Sequence, residues 1–266
     1  MVVTFLTDFG LEDDFVGVCH GVIKRIAPDA TVIDITHGIR PQAVFEGALT
    51  LANALPYMPE GVHLAVVDPE VGGKRRPIAL RGGDGRIYVG PDNGLLVPAV
   101  ERLGGITDAY ELANTSLWLE RVSRTFHARD VFSPVAAHLA AGAPLADVGP
   151  ALEPSTLVQL SLPEPVVGAW SVSGRCIAVD RFGNVQLNVR VVDLEQAGIE
   201  AGARVEVALA TERYYAVVAE TFADVPSGEI VVYEDAYQNV SIAISRGSAA
   251  ETFSISPGDD VTLRLA

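Results

Sequence analysis

The chain predicts two domains of different class: an α/β N-terminal domain with a mainly parallel sheet, then an all-β C-terminal antiparallel barrel domain. Three observations carry this. The first 70 residues alternate β-branched runs with apolar residues at helical spacing, in the order βαβαβ. That order implies parallel strands joined by right-handed crossovers. From about residue 167 the helical period is gone, and short apolar runs follow one another with Gly, Asp or Asn between many of them. Between the two patterns, Pro150, Pro154, Pro163 and Pro165 punctuate a stretch with no period. The domains are therefore placed at 1–155 and 168–266, with a linker at 156–167.

Each element follows from local chemistry. Val2 to Thr7 is a β-branched run broken by Asp8-Phe9-Gly10. Phe15, Val18, Cys19, Val22, Ile23 and Ile26 form one helical stripe, with Asp13 or Asp14 as N-cap and Pro28 beyond its end. Thr31 to Thr36 is the second strand. Pro41 suits the start of a helix that runs on through Val44, Ala48, Leu51 and Leu55. Val62 to Val67 is the third strand. Pro77 to Leu80 and Ile87 to Val89 flank Gly82-Gly83-Asp84-Gly85 as a hairpin. Leu95 to Leu103 and Val131 to Ala141 read as helices, the latter stopped at Gly142 with Pro134 tolerable only in its first turn. The second domain reads as strands at 167–172, 175–180, 185–190, 203–209, 213–219, 229–233, 239–244 and 260–265.

Composition narrows the function. Nineteen basic against 34 acidic residues give a formal charge of −15, which argues against nucleic acid as a partner. Cys19 and Cys176 are far apart, so neither a disulfide framework nor a zinc site is expected. No apolar run approaches a membrane span, and Met1 to Thr7 lacks a basic region or cleavage site, so the expectation is a cytoplasmic protein away from membranes.

Open α/β sheets bind ligands beyond the carboxyl ends of their strands. Here the first three strands run into Asp8, His37 and Asp68. A single such carboxylate more often caps a turn, but three ends in succession favour a site. Asp68 heads the densest segment, Asp68-Pro69-Glu70-Val71-Gly72-Gly73-Lys74-Arg75-Arg76, which is neither a Walker loop nor a dinucleotide fingerprint. Ion pairing that merely orders the loop competes with a catalytic use. His127 lies just before a helix among charges and suits a base or a hydrogen-bond donor. His20, His63 and His138 fall inside elements and read as structural, while His37 stays ambiguous. Asp180-Arg181-Phe182-Gly183-Asn184 reads first as a hairpin turn, although Phe and Asn together also suit a purine.

Six segments then occur in order: Thr7-Asp8-Phe9-Gly10 with Asp13, Asp34-Ile35-Thr36-His37, Val67-Asp68-Pro69 through Arg75, Pro91-Asp92-Asn93-Gly94, Thr125-Phe126-His127 and Phe182-Gly183-Asn184. Together they resemble the S-adenosylmethionine hydroxide adenosyltransferases, relatives of the S-adenosylmethionine-dependent fluorinase and chlorinase. The likeness covers nearly the whole chain. It implies an α/β domain and a β-barrel, assembled as a homotrimer with substrate at subunit interfaces. It implies attack of water or hydroxide on C5′ of S-adenosylmethionine, giving adenosine and L-methionine, with no cofactor and no metal. By the same likeness the catalytic residues are Asp68, Arg75 and His127. Asp8 would hold the ribose hydroxyls, Phe182, Asn184 and Phe222 the adenine region, and Asp180 with Asp13 the methionine end.

Two other readings compete. A 5′-halogenase of the chlorinase type would need a halide pocket where Asp68 places a negative charge; Ala128 also stands where the fluorinase has a serine, and Gly82 to Gly85 is a tight turn where it has a long insertion. A non-catalytic protein binding S-adenosylmethionine or adenosine would have no use for a water-activating Asp68. Glu70 replaces a glycine usual in the family, and a positive φ there would strain it.

Overall fold

A computed structural model describes residues 1–161 and 164–266. Pro163, counted above in the linker, lies outside the described residues. The chain divides into two compact units, Met1–Leu160 and Ser161–Ala266.

In the first unit, β1 (Val2–Thr7), α1 (Phe15–Ile26), β2 (Thr31–Thr36), α2 (Val44–Ala54), β3 (Gly61–Val66), β4 (Pro77–Gly82), β5 (Ile87–Pro91), α3 (Val97–Arg102), β6 (Ile106–Glu111) and α4 (Ser133–Ala140) follow in order. The sheet order is β2-β1-β3-β5-β4-β6. Strands β2, β1, β3 and β5 are parallel, while β4 is antiparallel to both β5 and β6. Successive side chains point to opposite faces of a strand. Accordingly Val3 and Phe5 pack with Val16, Cys19 and Ile23 of α1 and with Val135 and Leu139 of α4. Leu6, the residue after Phe5 and so on the opposite face of the strand, packs with Leu51 of α2 and Val100 of α3. Both faces of the sheet are thus covered, which is why its strands read as near-continuous apolar runs.

Two expected boundaries move. The second helix begins at Val44, not at Pro41, because Gln42 takes a positive φ of 66° and its N–H donates to Asp8 Oδ2 at 2.8 Å. The helix expected from Val131 begins at Ser133, and a π-helical turn over Ala128–Phe132 precedes it; Pro134 does sit in its first turn. Strand β6 was not foreseen.

In the second unit, β7 (Val166–Val167), β8 (Ser171–Val179), β9 (Val185–Leu187), α5 (Val191–Gln196), β10 (Arg204–Ala208), β11 (Arg213–Val218), β12 (Ile230–Glu234), β13 (Val240–Ile244), α6 (Ala249–Phe253) and β14 (Asp260–Leu265) follow. The order β14-β10-β11-β12-β13-β9-β8 closes through β14–β8 into a seven-stranded barrel, with β7 added on β8. The pairings are antiparallel except β11–β12. Alternate residues fill the interior: Val205 and Val207, Val240 and Ile242, Val261 and Leu263. The break expected near 173–174 is absent, and β8 runs straight through. Gly174 pairs with Val261 within the strand, and the position takes glycine because a Cβ there would lie 2.5 Å from Val189 Cγ2. The helices α5 and α6 were not foreseen either. Among the described residues, no helix is long and apolar enough to cross a membrane.

Candidate active site

Parallel β1, β2, β3 and β5 end along one edge of the sheet. Asp8 follows β1, His37 follows β2, Asp68 lies just beyond β3, and Asp92-Asn93 follow β5. The antiparallel β4 starts at that same edge, so the two residues before it, Arg75 and Arg76, arrive there too. The strand order reverses between β1 and β3, the switch point at which open α/β sheets hold ligands.

The two arginines separate cleanly. Arg75 Nε donates to both Asp68 oxygens at 3.0 Å, and Nη2 donates to Oδ2 at 2.5 Å. The two side chains are 3% and 5% exposed, so this is a buried, two-pronged ion pair. The face of Phe132 covers the Arg75 guanidinium, 5.2 Å from ring centroid to Cζ. Arg76 turns away to Asp92 Oδ2 and to the Thr156 carbonyl, and so braces the loop. Asn93 donates to the Val67 carbonyl at 2.8 Å and so fixes the strand end that carries Asp68. The Pro91-Asp92-Asn93-Gly94 motif was visible in sequence, but nothing there identified its partners.

His127 joins the pair. Arg75 Nη2 lies 2.9 Å from its Nδ1. Guanidinium has no acceptor, so Nδ1 must supply the lone pair and Nε2 carries the proton. Burial and the neighbouring Arg75 charge lower the pKa of His127, against the opposing pull of Asp68 and Asp130. Both facts make it a neutral imidazole that offers Nε2–H as a donor. Its position is set by the π turn that starts at the next residue, and such turns recur at functional sites. Phe126 packs on Phe9 and Phe15, which ties this segment to the end of β1.

The loop between Asp68 and Arg75 is unstrained at Glu70, which is not among the non-glycine residues with positive φ. The left-handed position is Gly72, at φ 75°, where a Cβ would lie 2.3 Å from the Arg124 carbonyl oxygen. Asp8 is partly buried, with Oδ2 engaged by Gln42. Asp13 is exposed in the turn before α1 and makes no described hydrogen bond to this group.

In the second unit, Asp180 Oδ1 accepts from Phe182 N and Asn184 N, and Oδ2 accepts from Asn184 Nδ2 at 2.7 Å. Gly183 has φ 80°, as the turn reading requires. Phe182 projects into solvent, 71% exposed. Phe222 packs at 4.7 Å against Tyr233, whose hydroxyl is pushed up to about 12 by burial and by Asp180 and Asp235. Asp235 accepts from Tyr237 N, Asn239 N, Ser241 Oγ and Gln186 Nε2, so its carboxylate is committed to its own turn and to the adjoining strands β13 and β9.

The chain matches the SAM hydroxide adenosyltransferase N-terminal domain over residues 3–149 and the corresponding C-terminal domain over residues 174–262. It is 49% identical over 257 residues to an (R)-S-adenosyl-L-methionine hydrolase of Salinispora tropica, covering 97% of this chain and 95% of that one. A fluorinase of an Actinoplanes species is 31% identical over 292 residues, covering 100% of this chain and 98% of that one. A solved structure of a conserved protein from Thermotoga maritima superimposes with a TM-score of 0.93 at 37% identity, covering 98% and 99% of the two chains. The ordered motifs, the α/β unit with its Asp68–Arg75–His127 group and these full-length matches agree: the chain belongs to the SAM hydroxide adenosyltransferase family.

Proposed function

We propose that this protein hydrolyses (R)-S-adenosyl-L-methionine to adenosine and L-methionine. The observation that carries the reading is the buried Asp68–Arg75 pair with His127, half-buried, hydrogen-bonded to it. Water attacks C5′ as the C5′–S bond breaks, the bonding pair leaves with the neutral thioether sulfur, and the water proton passes to Asp68 and on to solvent. A sulfonium is already a good leaving group, so positioning and partial desolvation of the nucleophile supply much of the rate. Asp68 has lone pairs beyond those engaged by Arg75, and these orient the water and accept its proton. Arg75 locks the carboxylate plane. His127 Nε2–H completes the water's hydrogen bonding.

The substrate's ends are assigned by chemistry. Asp8 keeps Oδ1 for the ribose hydroxyls. The faces of Phe182 and Phe222 suit adenine, with the Asn184 amide at its edge. Asp180 and Asp13 supply negative charge for the methionine ammonium. A homotrimer with substrate at its subunit interfaces, working in the cytoplasm with no cofactor or metal in the reaction, completes the proposal. A halide in place of the water would meet the Asp68 carboxylate, and desolvated like charges cost several kcal/mol.

The test is turnover in oxygen-18 water. Label in the 5′-hydroxyl of adenosine, with both sulfonium epimers assayed and the (R) form preferred, is the expected result. Chloride-dependent 5′-chloro-5′-deoxyadenosine would overturn it. Sharing of sites between subunits is checked by refolding Asp68→Ala and Asn184→Ala chains together: recovered activity supports interface sites, and mixed trimers no better than either parent refute them.

A further inference from the structure

We propose a second site in the first unit: a divalent transition-metal site of the zinc class formed by His20, Asp34 and His37. The geometry carries it. His20 Nε2 lies 2.8 Å and His37 Nε2 3.1 Å from the same oxygen, Asp34 Oδ1. One ligand atom from each of the three residues falls within 4.8 Å of the other two. An ion bonded at about 2 Å to each would need only small side-chain shifts to sit among them.

The second observation is His37 itself. Its side chain is 3% exposed, yet Nε2 makes no hydrogen bond. The nearby Asp34 oxygen is close but off the direction in which the ring nitrogen points. A buried nitrogen in that state lacks the partner that buried polar groups normally find. Its other nitrogen, Nδ1, is held 2.8 Å from Thr7 Oγ1. With Nδ1–H donated to that hydroxyl, Nε2 keeps its lone pair free for a metal, and a hydrogen bond of this kind at the far ring nitrogen fixes the orientation of metal-binding histidines.

The surrounding framework presents these groups together. The register of β1 against β2 slips by one residue between Phe5 and Leu6, where Phe5 pairs Asp34 and Leu6 pairs Thr36. This bulge at Ile35 re-aims the strand just after Asp34. Phe5, fully buried, packs at 5.9 Å against the His20 ring and at 4.9 Å against the His37 ring, so both imidazoles rest on one support. Two imidazoles and one carboxylate select a zinc-like ion over magnesium or calcium, which prefer all-oxygen shells. His20 and Asp34 are partly exposed, which leaves the ion a solvent-facing position.

Such an ion would clamp α1 to the segment behind β2. That segment receives the Gly10 N–H at the His37 carbonyl, 2.8 Å away, and reaches Asp8 through Gln42. The role is structural, and no step of the hydrolysis passes through the ion. The inference stands on this cluster alone and does not depend on the proposed reaction.

The experiment uses the full-length chain stripped with chelator. Co²⁺ and Zn²⁺ are titrated in by calorimetry, with the visible d–d bands of Co²⁺ as a direct report of ligation, and thermal unfolding is followed with and without Zn²⁺. One saturable equivalent per chain, Co²⁺ bands and a raised Tm are expected in the parent protein. The exposed-side substitutions His20→Ala and Asp34→Asn are expected to lose all three while remaining folded by circular dichroism. No saturable uptake by the parent, or uptake and bands unchanged in both variants, would overturn the site.

Discussion

The two units solve the problem of holding polar groups in opposite ways. At the carboxyl edge of the first, Asp68 and Arg75 are almost wholly buried and committed to each other and to His127. In the second, the 180–184 turn is exposed, and its carboxylate is spent mainly on its own backbone and on Asn184. A buried pair is costly to form and costlier to break, because removing one partner strands the other in low dielectric. An exposed turn gives up little when altered. The first arrangement suits chemistry that needs a fixed carboxylate, the second suits a surface that meets a ligand through ring faces.

The largest expected effect tests the chemical half of that contrast. Asp68→Asn should lower kcat by roughly 10²–10⁴-fold, the usual worth of a positioned general base, while calorimetry shows substrate still bound. Normal turnover in this variant would refute the water-activating role.

Next comes the stability of the pair. Arg75→Met should destabilise the protein by about 3–5 kcal/mol, as loss of one partner of a buried pair does. Combined with Asp68→Asn it should cost much less than the two changes added. Urea titrations of the four proteins close that cycle, and strict additivity would mean that the ion pair is not coupled as the geometry indicates.

Acid separates the units directly, because all five histidines fall before residue 161. Burial, with the Arg86 charge adding to it, lowers His63 from 6.5 to about 4, and His127 is lowered in the same direction. A histidine depressed in the folded state leaves stability intact above its unfolded pKa and removes it as pH falls below. Between pH 6.5 and about 4 the unfolded chain takes up the His63 proton first, costing on the order of 3 kcal/mol across the window. Hydrogen exchange at pH 7 and pH 4.5 should show protection lost in the first unit and largely kept in the second. Equal loss in both would break the comparison.

The smallest effect belongs to the second unit. Phe182→Ala should leave Tm unchanged, since the ring is 71% exposed. It should raise KM by an amount equivalent to about 1–3 kcal/mol, the worth of one aromatic–base stack, with little change in kcat. An unchanged KM would remove Phe182 from the adenine site.

Sequence by itself determined the βαβαβ order that opens the first unit, though not its strand β6, because strands buried on both faces and one-sided helices leave unambiguous apolar periods, as in Val2–Thr7 and Phe15–Ile26. It also supplied Asp68, Arg75 and His127 as candidates, through motifs in a fixed order. The second unit was legible as strands but not in its joints: α5 and α6 are five or six residues long, too short for a helical period to register. Only the tertiary structure decided which arginine faces Asp68, since Arg75 and Arg76 are adjacent in sequence and diverge at the start of an antiparallel strand. It alone fixed the His127 tautomer, through a nitrogen 52 residues away in sequence. And it alone brought His20 and His37 to one Asp34 oxygen, because a helix residue and a loop residue meet only when a strand bulge and a buried ring place them there.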